Sequence, residues 1–92
     1  MVRRSKLEVN LDIMKLLASQ GPMELTQLVD KADLSQSILK QHLDFLTQQN
    51  LVEEQNLGKE ETFYVVTERG LKVLKVVIPI ISEVRKIPAL LR

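Results

Sequence analysis

The sequence predicts a mainly α-helical domain with one small β-hairpin, and three observations carry that expectation. Apolar residues recur at helical spacing in three segments before Asn50 and again after Thr67. Between Leu51 and Val66 the pattern changes to two short runs that read as strands, the second rich in aromatic and β-branched residues. Gly, Pro, Ser, Asp, Asn and Thr stand at the breaks, where turns and helix caps need them.

The first helix is expected over Ser5 to Gln20. Ser5-Lys6-Leu7-Glu8 reads as a capping box, in which the Ser hydroxyl and the Glu carboxylate satisfy amides that the first turn leaves unpaired. Leu7, Leu11, Met14 and Ala18 form its apolar stripe with Ile13 and Leu17 on the flank, and Gly21-Pro22 ends it. A short second helix carries Leu25, Leu28, Val29 and Ala32 on one face. It stops at Asp33, a residue type that tolerates the left-handed conformation, and Ser35 caps a third helix. In that helix Ile38, Leu39, His42, Leu43, Phe45 and Leu46 make the apolar face, while Gln36, Ser37, Lys40, Gln41, Asp44, Thr47 and Gln48 make the polar one. Asn50 stands at its C-terminal cap.

Leu51 to Asn56 and Glu61 to Val66 are the expected strands, joined through Leu57-Gly58-Lys59-Glu60. Thr67 caps the last helix, which bears two apolar stripes. One is Leu71, Leu74, Ile78 and Ile81; the other is Val73, Val77, Ile80, Val84 and Ile87. Pro79 should kink or break this helix, and Pro88 should end it. The unit of residues 1–70 and the C-terminal helix of residues 67–92 belong to one small domain.

Composition narrows the chemistry. There is no cysteine, which removes disulfides, thiolate metal sites and cysteine nucleophiles. The single histidine, His42, cannot form a metal cluster alone, so no cofactor or metal is expected. Charged residues interrupt any signal-like segment near Arg3, Arg4 and Lys6, and the apolar run Val76–Ile81 is too short to span a bilayer. A soluble, cytoplasmic protein is expected. Neighbouring carboxylates such as Glu53-Glu54 point to opposite sides of a strand, and no glycine-rich phosphate loop or nucleophile elbow is present, so no enzyme is expected. Thirteen basic and twelve acidic residues leave a net charge of +1, so any case for nucleic-acid binding rests on where the charges sit.

Helix, helix, tight turn, helix, hairpin, helix is the order in which a helix-turn-helix presents its second helix to the major groove. Leu34-Ser35-Gln36-Ser37-Ile38-Leu39-Lys40-Gln41-His42-Leu43-Asp44-Phe45-Leu46, followed by Asn50-Leu51-Val52, resembles the recognition-helix signature of ArsR- and MarR-type winged helix-turn-helix regulators. Tyr64-Val65-Val66-Thr67-Glu68-Arg69-Gly70-Leu71 resembles their strand-to-helix junction. The opening Arg3-Arg4-Ser5-Lys6-Leu7-Glu8 and the long closing helix resemble archaeal winged-helix proteins that dimerise through a C-terminal coiled coil.

The resemblance implies a sequence-specific transcriptional regulator that binds double-stranded DNA. Ser35, Gln36, Ser37, Lys40 and Gln41 would face bases or phosphates, residue types whose donors and acceptors suit both. Lys59 would lie at the wing tip, and Arg3, Arg4 and Lys6 would form a basic arm that neutralises backbone charge. Glu53, Glu54, Glu60 and Glu61 make the wing acidic, and Asp44 adds a negative charge to the reading face. His42, at the margin of the apolar face, is expected to be structural. Val73, Val77, Ile80, Val84 and Ile87 have heptad-like spacing, so this stripe is expected to pair with a second subunit. Two other readings stand beside this one: an architectural, chromatin-type DNA-binding protein, and a protein-interaction module of a larger assembly, which the acidic wing would suit. No effector, operator or direction of regulation follows from the sequence, and no ArsR-type metal cluster is present.

Overall fold

A computed structural model of the chain describes residues 4–56 and 61–85, the side chains of Val84 and Arg85 apart. Among these residues the order is α1 (Lys6–Gln20), β1 (Met23–Glu24), α2 (Leu25–Ala32), α3 (Gln36–Gln48), β2 (Val52–Asn56), β3 (Thr62–Val66) and α4 (Glu68–Arg85). The expected mainly helical winged architecture is therefore present. One strand, β1, is additional.

The boundaries follow local chemistry. Ser5 Oγ accepts from the Glu8 amide at 3.1 Å, and Ser35 Oγ accepts from the Ile38 amide at 3.3 Å, so both expected N-caps form. Gly21 closes α1 with φ 80°, and its amide donates to the Leu17 carbonyl. Asp33 closes α2 in the left-handed region, φ 55° and ψ 50°. Asn50 adopts φ 59° after α3. There the Leu51 amide donates to the Leu46 carbonyl at 2.9 Å and the Asn50 amide to the Thr47 carbonyl at 3.1 Å, the paired bonds of a Schellman ending.

The sheet has the order β1-β3-β2, antiparallel throughout. β3 is thus central, with Met23 opposite Tyr64 on one side and Val52 opposite Val66 on the other. The fully buried side chains Ile13, Met14 and Leu17 of α1, Leu28 of α2, and Leu39, Leu43 and Leu46 of α3 form the core, closed by Val52, Tyr64 and Leu74. No ionisable residue other than Tyr64 is buried there.

Three helix faces differ from the sequence expectation. In α1, Leu7 and Ala18 are exposed and the buried arc centres on Ile13, Met14 and Leu17. In α3, Ile38 and Phe45 belong to the expected apolar face but are 42% and 48% exposed. The core takes only the narrower arc through Leu39, Leu43 and Leu46. In α4 the two expected stripes are mixed. Val73, Leu74, Val77 and Ile81 pack on the core, while Leu71, Val76, Ile78 and Ile80 are exposed. α4 is also unbroken through Pro79, so the expected break there does not occur. The proline removes only the amide that would reach the Lys75 carbonyl, and the helix on either side is long enough to absorb that loss.

Candidate nucleic-acid interface

The outer face of α3 is an openly exposed polar surface. Gln36, Ser37, Lys40, Gln41, Asp44 and Gln48 are all exposed. Ser35 Oγ accepts as the N-cap, which leaves its hydroxyl proton able to donate, and it lies 3.5 Å from Ser37 Oγ. Gln36, Lys40 and Gln41 have no side-chain partner among the described residues, so their donors and acceptors are available to a ligand. A helix that hydrogen-bonds its own surface offers little to a nucleic acid; this one does not.

What holds α3 in place is largely its rear. Leu39, Leu43 and Leu46 anchor it in the core, and its C-terminus is tied onward to α4. Thr67 Oγ1 donates to the Asn50 carbonyl at 2.7 Å and accepts from the Gly70 amide at 3.0 Å, while the Thr67 amide donates to the Leu51 carbonyl at 3.0 Å. Gly70 is buried beneath this turn. A Cβ on it would collide with the Leu51 carbonyl oxygen and lie 2.7 Å from Val66 Cγ2. The glycine of the strand-to-helix junction is there because nothing larger fits.

Two polar links tie α1 to the helix-turn-helix pair. Arg4 donates to Asp12 Oδ2 at 3.0 Å and to the Ala32 carbonyl at 2.9 Å, joining the arm to the C-terminal end of α2. His42 Nδ1 lies 2.7 Å from Asn10 Oδ1, joining α3 to α1. Burial, and then the nearby Lys6 ammonium, lower the His42 pKa from its ordinary 6.5, so the ring is neutral at pH 7. This contact fastens α3 to α1 through the His42 ring.

Of the basic arm, Lys6 is exposed and lines a cleft of about 370 Å³ with Asn10, Gln41, His42 and Phe45. Arg4 has its partners within the chain, and Arg3 lies outside the described residues. Lys59, expected at the wing tip, also lies outside them. The base of the wing is acidic: Glu53 and Glu54 are exposed on β2. Glu54 accepts from Tyr64 Oη at 3.2 Å. Burial, with Glu54 and then Asp44 adding negative charge, raises the Tyr64 pKa from 10.0 to about 12.

The expected dimer stripe divides in the structure. Val73 and Val77 are half-buried against the chain's own core, whereas Ile80 is 57% exposed beside Val76 at 61%. The Val84 side chain and Ile87 lie outside the description. A wider groove of about 610 Å³ separates α1 from α4, lined by Leu11, Lys15, Ile78 and Ile81 among others. None of its lining residues belongs to α3. No cluster of three or more His, Asp or Glu side chains able to hold a metal occurs among the described residues, and no helix among them is long and apolar enough to cross a membrane.

Sequence reasoning missed the Arg4 and Asn10 links. Their partners lie 28 and 32 residues away, a distance over which neither periodicity nor capping carries a signal.

The model of a family described as winged helix-turn-helix matches residues 3–85. A protein of Methanocaldococcus jannaschii described as an uncharacterised HTH-type transcriptional regulator is 30% identical over 65 residues, 71% of this chain and 73% of that protein. Among solved structures, AbsC from Streptomyces coelicolor, a MarR family transcriptional regulator, superposes with a TM-score of 0.73 at 28% identity, covering 84% of this chain and 55% of AbsC. The reduced form of the transcriptional regulator YodB from B. subtilis gives 0.73 at 26%, covering 82% of this chain and 76% of YodB. The fold is shared with ZitR from Lactococcus lactis in complex with DNA, with a TM-score of 0.67 at 20% identity over 80% of this chain and 50% of ZitR. The chain therefore spans only about half the length of AbsC and ZitR.

Proposed function

The chain belongs to the winged helix-turn-helix family, and on that premise we propose that it regulates transcription by binding double-stranded DNA in a sequence-dependent way. The observation that carries this reading is the outer face of α3, where Gln36, Lys40 and Gln41 stand exposed without partners among the described residues on a helix fixed firmly from behind. In the major groove, Gln41 or Gln36 can pair with adenine through both amide groups, and Lys40 can reach guanine acceptors. Ser35 and Ser37, at the start of α3, suit phosphate. Lys6, with Arg3 and Arg4 before it, supplies backbone charge, although Arg4 would have to share its guanidinium with Asp12. Lys59 would add a contact at the wing. The protein would act in the cytoplasm, on the nucleoid when bound.

A second part of the reading concerns assembly. The exposed side of α4 at Val76 and Ile80 suits pairing with a second copy of the chain, while Val73 and Val77 of the expected stripe are held by the chain's own core and the Val84 side chain and Ile87 lie outside the described residues. A two-fold dimer would present two copies of α3 to half-sites one DNA turn, about 34 Å, apart.

Anisotropy with random and selected duplexes across a salt series tests the DNA reading. With three or four phosphates neutralised per subunit, the log–log slope should be about −3 to −4 for each subunit bound. Absence of binding to every duplex at low salt would overturn it and favour a protein partner. Light scattering that finds a monomer at micromolar concentration would overturn the dimer.

A further inference from the structure

The cleft between the start of α1 and the flank of α3 holds an arrangement that surface exposure alone does not explain. Its walls are Lys6 and Asn10 from α1 and Gln41, His42 and Phe45 from α3. Because Asn10 Oδ1 can only accept, the 2.7 Å contact requires the proton on His42 Nδ1. In the neutral ring Nε2 is then the lone-pair nitrogen. Nε2 has no partner among the described residues, yet no side-chain nitrogen or oxygen among them is buried without one. Nε2 therefore reaches solvent, from a ring that lines the cleft.

We infer that this cleft receives a backbone phosphate of the bound duplex, and that His42 takes up a proton at Nε2 as the phosphate enters; the inference rests on the DNA reading above. The Lys6 ammonium supplies a fixed positive charge, and the Gln41 amide supplies a neutral donor. The proton comes from solvent and turns Nε2 from an acceptor, which would repel a phosphate oxygen, into a charged donor. Asn10 keeps the ring oriented before and after, since Nδ1–H donates to it in both protonation states. Phe45 forms an apolar wall that displaces water and so strengthens the charge interactions inside.

The charged group of α1 that faces His42 is Lys6, and from α3 the cleft has no charged wall. In the free protein burial and Lys6 both disfavour the imidazolium, which leaves the site unprotonated at neutral pH. A phosphate offsets both effects, neutralising Lys6 and pairing with the protonated Nε2. Affinity should then increase as pH falls through the bound-state pKa, and stop increasing below the free-state pKa. The gain is at most about tenfold per pH unit for each subunit.

The test is duplex affinity of the full chain at constant ionic strength between about pH 5.5 and 8.5, beside the His42 imidazole pKa followed by NMR with and without duplex. His42 is the chain's only histidine, so no other side chain has its ordinary pKa in that window. Affinity is expected to rise about threefold to tenfold from pH 8 to pH 6, with an upward shift of the imidazole pKa on binding. H42Q, which keeps a polar group beside Asn10 but cannot gain charge, should bind with a flat pH profile. K6Q leaves the α1–α3 link intact and should raise the free-state imidazole pKa, shrinking the coupling. A wild-type profile flat to within about twofold, an unshifted imidazole, or an unchanged slope in H42Q would each overturn the inference. Inorganic phosphate that shifts the imidazole as far as the duplex does would mark a free-anion site and overturn it too. Duplex binding without pH dependence defeats this site alone, whereas no binding at any pH defeats the DNA reading and this site with it.

Discussion

The junction between the end of α3 and the start of α4 and the outer face of α3 share one helix, yet they use their polar groups in opposite ways. At the junction the polar groups are committed: Thr67 takes part in four hydrogen bonds, the Asn50 and Leu51 amides close the Schellman ending, and Gly70 has no room for a side chain. On the outer face Gln36, Lys40 and Gln41 are committed to nothing within the described residues. The first region fixes where α3 points; the second is left open for what it points at. Stability and recognition are thus separable in this molecule, residue by residue.

Substitutions should expose that separation. The largest loss is expected from Gly70→Ala, because the new methyl group meets backbone at Leu51 as well as the Val66 side chain. Urea unfolding should report a loss of about 3 kcal/mol, and a loss below about 0.5 kcal/mol would mean that the junction is looser than its geometry. Next comes alkaline pH. Tyr64 has a folded-state pKa of about 12 against an ordinary 10.0, so folding favours its protonated form. The stability this gives is whole below pH 10.0 and is lost as pH rises through about 12, by an amount on the order of 2 kcal/mol. Tyr64→Phe should be insensitive over that window, at the cost of the bond to Glu54.

Thr67→Ala should cost about 1–2 kcal/mol by removing the α4 cap together with the bond to the Asn50 carbonyl. Smallest in stability, and largest in recognition, are Lys40→Ala and Gln41→Ala. Each should change unfolding by less than about 0.5 kcal/mol. Loss of either should relax the preference for the base it contacts in the duplex. A large stability loss in either would erase the distinction between the two regions.

The parts of this fold that were legible in the sequence are those decided within a few residues. Ser5, Ser35 and Thr67 cap the helices they precede because a short hydroxyl reaches amides two or three positions on. Asp33 and Asn50 take left-handed conformations that few other residue types tolerate. β1 was not legible, since two residues carry no periodicity and Met23–Glu24 become a strand only when β3 arrives opposite them. The reading of α3 was right about its polar face and too broad about its apolar one. Helical spacing groups Ile38 and Phe45 with Leu39 and Leu46, but how far round the helix the core extends depends on where α1 lies. The mixed stripes of α4 have the same cause. Spacing identifies which residues share a face, and only the tertiary partner decides which face is covered.

The acidic β2 strand also has a consequence for how copies of this chain meet. With β3 in the centre, the sheet has two edges, β1 and β2. Strand edges carry unpaired amides and carbonyls that invite pairing with another chain. Here one edge is only two residues long and follows Pro22, and the other exposes adjacent carboxylates at Glu53 and Glu54. Two such β2 edges brought together would align like charges, so sheet extension from one molecule to the next is opposed at both ends. The same acidic residues that weigh against phosphate contact at the wing thus also oppose strand-to-strand pairing between molecules.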